Sequence, residues 1–110
     1  MSRKISVRTG SDNIFRDLGF SKIEAQEALA KSELIHAIAK TISKQKLTQI
    51  EAAKRCHTDQ PTLSKVLRGR MESVTIDKLA SWLTALGRNV EIRVDATDRK
   101  TPGRLVVRAA

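Results

Sequence analysis

Residues 47–69 read Leu-Thr-Gln-Ile-Glu-Ala-Ala-Lys-Arg-Cys-His-Thr-Asp-Gln-Pro-Thr-Leu-Ser-Lys-Val-Leu-Arg-Gly, and their grammar is that of two short helices joined by a tight turn. Thr48 caps the first, whose inner face is Ile50 or Ala52 together with Ala53 and Cys56. Asp59 caps the second, with Pro61 in its first turn, where a missing amide hydrogen costs nothing. Its inner face is Leu63, Val66 and Leu67, and Gly69 ends it. The small Ala53 matters most, because two helices crossing steeply after a turn of three to four residues need a small side chain where they approach.

Upstream, Ser21 and Glu24 form a capping box. Apolar positions Ala25, Ala28, Leu29, Leu34, Ile35, Ile38 and Ile42 then recur at threes and fours up to the polar run Ser43 to Lys46. One helix of about 24 residues would span roughly 36 Å; a bend near Lys31, Ser32 and Glu33 is the other option. Before it, Asn13 to Gly19 reads as a single helical turn, with Asn13 as cap and Ile14 and Leu18 four apart. The first ten residues hold only Ile5 and Val7 as strongly apolar material, so residues 1–20 are expected to be a flexible arm carrying that short turn.

Downstream, Thr75 caps a further helix with Asp77 in its positive first turn, and Val74 can staple to Leu79. Its stripe is Ile76, Leu79, Ala80, Leu83 and Leu86, and Gly87 stops it. The period then changes: Val90-Glu91-Ile92-Arg93-Val94 alternates in twos, and Leu105-Val106-Val107 follows a stretch containing Pro102 and Gly103. Two strands so short are marginal alone, so a hairpin over 90–110 must pack on helices or pair with a second copy of the chain. The expected fold is mainly α, a bundle of four to five helices over residues 21–89 with a short C-terminal β-strand or hairpin as a dimerisation element.

Composition narrows the function classes. The chain of 110 residues carries 21 Lys and Arg against 12 Asp and Glu, a formal +9 with a pI near 10.3, which favours polyanionic partners. Residues 47–70 hold five basic and two acidic groups, whereas 71–94 hold three of each, so charge concentrates on the helical pair. The charge alone also allows a basic RNA-binding or ribosome-associated protein, the less favoured alternative, because the aromatics Phe15, Phe20 and Trp82 give little material for stacking single-stranded bases. Trp82 beside the last apolar stripe reads as core edge, with a dimer or partner contact as the sharper option. Arg99, Lys100, Arg104 and Arg108 read as solvated tails. The single Cys56 makes no internal disulfide, and no apolar run has the length of a signal or membrane span, so a soluble, cytoplasmic protein is expected. Cys56, His57 and His36 lack metal-ligand spacing, and no paired carboxylates, phosphate loop or nucleophile triad can be assembled. No enzyme activity, cofactor or metal is expected.

The stretch 47–69 resembles the helix-turn-helix of the lambda-repressor and Cro-like regulators, the XRE family, in its Leu47-Thr48-Gln49 opening, Ala53, Ser64 and closing Arg68-Gly69. It departs at His57, where the family usually has a left-handed glycine; His tolerates that conformation better than most residues. The resemblance implies that Gln60 reads adenine in the major groove and that Gln49 buttresses it and touches phosphate. Thr62 and Lys65 are then base or phosphate contacts, and Arg68 and Arg70 match backbone-contacting positions. It further implies a homodimer on a palindromic operator in double-stranded DNA. A wider order is similar to the HigA-type antitoxins: Asn13-x-Phe15-x-Asp17-Leu18-Gly19, a long helix, the motif with Gln60-Pro61, Leu79 to Gly87, and an alternating Val90-Glu91-Ile92. That likeness implies a repressor of its own operon that neutralises a RelE-fold ribonuclease toxin, with Ile5, Val7, Phe15 and Leu18 on the arm as toxin contacts. A stand-alone regulator without a toxin partner is the alternative reading.

Overall fold

The computed structural model describes residues 21–98, 100 and 102–109, and within them the chain forms four helices: α1 (Lys22–Lys44), α2 (Gln49–Arg55), α3 (Gln60–Leu67) and α4 (Ile76–Ala85). The expected arm, the turn over 13–19 and the proposed toxin contacts Ile5, Val7, Phe15 and Leu18 lie outside the described residues. Four side-chain caps start the four helices. Ser21 Oγ accepts from Glu24 N at 3.1 Å while Ser21 N donates to Glu24 Oε1 at 3.0 Å, and Thr48 and Glu51 repeat the exchange at 3.1 and 2.8 Å. Asp59 accepts from Thr62 N at 2.7 Å and Thr75 from Lys78 N at 3.0 Å. Caps of this kind each stabilise by about 1 kcal/mol.

α1 runs for 23 residues with no break at Lys31 to Glu33. The polar residues there are used: Lys31 Nζ donates to the Met71 carbonyl at 3.2 Å and Ser32 Oγ contacts Met71 Sδ at 3.6 Å. α1 packs against α4 and α3, and α2 packs against α3. Between them lie Leu34, Ile35, Ile38, Ile42, Ala52, Ala53, Cys56, Leu63, Val66, Val74, Leu79, Trp82, Leu83 and Leu86. Ile38, Leu63, Leu79 and Leu86 are wholly enclosed, and burial of one such side chain is worth about 1.5–3 kcal/mol. Trp82 belongs to this core rather than to a contact surface, and its indole Nε1 has no hydrogen-bond partner among the described residues.

Two expectations are corrected. Ile50 is 66% exposed, and Ala52 takes the inner position on α2. No strand forms among the described residues, so the expected C-terminal β-strand or hairpin is absent from the single chain. Among the described residues no backbone hydrogen bond joins the two runs: Leu105 N donates to Gln26 Oε1 on α1 at 3.2 Å and Val107 packs on the helical core. The second run therefore docks on helices, and among the described residues the first has no strand to pair with. Val90 is half-buried against the core, whereas Ile92 and Val94 stand 87% and 91% exposed.

Candidate nucleic-acid interface

The interface is built from the two crossing helices. Ala52 and Ala53 are both buried, which allows α2 to approach α3 without a side chain between them. The turn is closed by Thr58 N donating to the Ala53 carbonyl at 3.0 Å and His57 N to the Lys54 carbonyl at 3.2 Å. His57 holds the left-handed conformation at φ 56°, so the glycine position of the family pattern is filled here by a strained histidine. Asp59 then starts α3 and Pro61 occupies its first turn.

At the head of α3 the crossing brings two side chains together from residues 11 apart: Gln60 Nε2 donates to Gln49 Oε1 at 2.8 Å. That bond uses one of the two amide hydrogens of Gln60 and fixes which way its carboxamide faces. The carbonyl oxygen and the second hydrogen are left in the donor and acceptor pair that an adenine edge requires. Thr62 and Lys65 are exposed and three residues apart on α3, opposite the buried Leu63 and Val66. At the other end Arg68 is the C-cap, Gly69 turns left-handed at φ 97°, and Arg70 N returns to the Lys65 carbonyl at 3.1 Å. Arg68 and Arg70 are thus fixed at the close of α3, both exposed.

Residues 14–95 match the family model for helix-turn-helix domains, and a solved structure assigned to the XRE family of transcriptional regulators superposes with a TM-score of 0.71 at 31% identity. The chain belongs to the XRE family of helix-turn-helix regulators. The superposition covers 78% of this chain and 98% of that one, so the likeness takes in nearly the whole of the other protein. No curated protein matches.

For this XRE-family protein the electrostatics of the site follow from the caps. Hydrogen bonds from Thr62 hold the Asp59 carboxyl below its ordinary value, and bonds from Thr48 do the same for Glu51. Both acids of the motif are therefore spent on helix N-termini, where the backbone dipoles offset their charge. Cys56 is buried, its Sγ 3.8 Å from the Trp82 carbonyl, and burial pushes its thiol up, which is the opposite of what a nucleophile needs. Among the described residues no group of His, Cys, Asp and Glu could hold a metal ion, and no helix is long and apolar enough to cross a membrane.

Two residues escaped the reading of the sequence. Lys46 takes the left-handed position after α1 at φ 55°, where glycine is usual, and puts a cation two residues before the cap of α2. Gln45 donates from Nε2 to the Leu86 carbonyl at 2.7 Å and accepts from Arg55 Nη1 at 3.3 Å, so it links the ends of α1, α4 and α2. Nothing in the sequence required a left-handed residue there, since only some helices end that way and no glycine marks this one. Nothing local marked Gln45, whose partners lie 10 and 41 residues away.

Proposed function

We propose that the protein is a homodimeric, sequence-specific transcriptional repressor that inserts α3 into the major groove of a palindromic operator. The observation that carries this is the Gln49–Gln60 bond, which presents a pre-oriented carboxamide at the N-terminal end of an exposed helix. Gln60 reads adenine, Thr62 and Lys65 contact bases or phosphates alongside it, and Gln49, Arg68 and Arg70 hold the backbone. One such module covers too few base pairs for a unique site, so two copies present their α3 helices about 34 Å apart, or a multiple of that. The test is a gel shift on the protein's own promoter across a salt series. Arg68→Ala and Arg70→Ala should each weaken binding to every duplex alike and lower the salt slope by about one unit. Binding that ignores salt, or an Arg68→Ala effect confined to one sequence, would refute the phosphate assignment.

The antitoxin role is the finer reading, and it rests on the resemblance of the motif order over residues 13–94 to HigA-type antitoxins. In it, residues 1–20 clasp a ribonuclease toxin through Ile5, Val7, Phe15 and Leu18 while α3 stays on the operator. A stand-alone regulator would present the same DNA surface. Co-expression with the product of the neighbouring reading frame separates them: a growth-arresting protein that co-purifies, and is lost on deleting residues 1–20, supports the antitoxin.

A further inference from the structure

Val90-Glu91-Ile92-Arg93-Val94 has no strand partner among the described residues. Among the described residues its backbone makes no hydrogen bond, Ile92 and Val94 are the two most exposed large apolar side chains, and the second apolar run is already engaged by Gln26 and the core. A β-prone segment with both backbone edges open is a template for strand addition. The order of its residues says what adds to it.

We propose that residues 89–95 pair antiparallel with the same residues of a second copy, about a two-fold axis at Ile92. In that register Ile92 meets Ile92, Val90 meets Val94, Glu91 meets Arg93, and Asn89 meets Asp95, each hetero pair occurring twice. Apolar residues share one face and charged or polar residues the other, as the strand alternation demands. Neighbouring registers fail. Centring on Glu91 or Arg93 sets like charges face to face, and a parallel in-register pair does so at both positions. Centring on Val94 replaces the Ile92 contact by Ala96 and sets Val90 against Asp98. The segment is thus complementary to itself, which favours a second copy over an unrelated strand. Val90 already packs on the helical core, so the apolar face of the ribbon continues that core into the two-fold axis.

This inference rests on the homodimer reading for its symmetry, yet it is read out without DNA. Sedimentation of the full chain at low salt compares wild type with Glu91→Arg, Arg93→Glu and the double reversal. Each single reversal should weaken the dimer by about tenfold or more, because two pairs turn repulsive at once. The double reversal should restore it, and an equimolar mixture of the two single variants should form a heterodimer. Ile92→Cys should form a disulfide with its copy under mild oxidation, with the buried Cys56 as an unreactive control. A wild-type dimer indifferent to all the reversals and uncrosslinked at position 92 overturns the register while leaving the homodimer standing. A wild-type chain that is monomeric while binding its operator overturns both.

Discussion

Shortening Gln49 to alanine isolates the contact proposed to orient Gln60 for base reading. In the structure Gln60 Nε2 gives one hydrogen to Gln49 Oε1 at 2.8 Å. Loss of that bond lets the Gln60 carboxamide rotate, so half of its orientations present the wrong donor and acceptor order to adenine. An exposed amide bond of this kind is worth about 0.5–1.5 kcal/mol, or roughly two- to tenfold in affinity. Gln60→Ala removes the whole bidentate pair and should cost about 1–3 kcal/mol at its adenine. The measurement is fluorescence anisotropy on an operator recovered by selection from random duplexes, with the adenine replaced by each other base. Gln49→Ala should lose more on the adenine operator than on the substituted ones. In the Gln60→Ala background that sequence-dependent part should vanish, leaving only the phosphate contribution. A double-mutant cycle that closes additively within about 0.3–0.5 kcal/mol, or a Gln60→Ala protein that ranks all operators as wild type does, would refute the orienting role.

Asp59→Ala removes the cap of α3 and should lower stability by about 0.5–2 kcal/mol, read as a lower thermal midpoint. His57→Gly should raise that midpoint by relieving the left-handed histidine, whereas Gly87→Ala at φ 91° should lower it; a reversed order in calorimetry would count against strain at these turns. Glu24, Glu51 and Asp59 all sit below their ordinary carboxyl values in the folded chain, so their stabilising bonds are intact above pH 5 and lost as acid protonates them. Replacing Glu24 and Glu51 by glutamine should therefore flatten the fall of the melting temperature on acidification. The Cys56 thiol, raised above its ordinary value of 9.0 by burial, favours the fold below that pH and progressively less as pH rises. Alkylation in native buffer should accordingly wait on unfolding, and rapid labelling at neutral pH would show the site to be open.

The helices were legible because their starts are chemical. Ser21, Thr48, Asp59 and Thr75 each carry an oxygen that the backbone needs, and each caps a helix in the structure. The inner face of α2 was ambiguous, since seven residues make only two turns and both Ile50 and Ala52 fit one stripe; close approach to α3 selected the alanine. Lys31 and Ser32 in the middle of α1 find a partner in Met71, some forty residues away, which no local pattern reports. The same holds for the C-terminal runs: alternation in twos says that a segment can be a strand but not where its partner is. At the DNA-facing surface the positions of Gln49 and Gln60 came from the motif, while their bond required the crossing itself.

The knot at Gln45 has a mechanical consequence. One side chain fastens the end of α4 to the ends of α1 and α2, and just beyond it Arg88 Nη1 reaches Thr41 Oγ1 at 3.2 Å. The chain thus leaves the bundle toward residue 90 from a clamped take-off point, with the helix bearing Gln49 bolted to the same clamp. These bonds restrict, without abolishing, independent motion of the C-terminal segment and α2. A two-fold assembly hung from that point would behave as a stiff caliper whose jaw opening is set in the bundle. In the proposed homodimer such a caliper would measure the distance between half-sites, and an operator lengthened by one base pair should bind more weakly with every base contact unaltered. Shortening Gln45 would loosen the joint and widen the range of spacings the protein accepts.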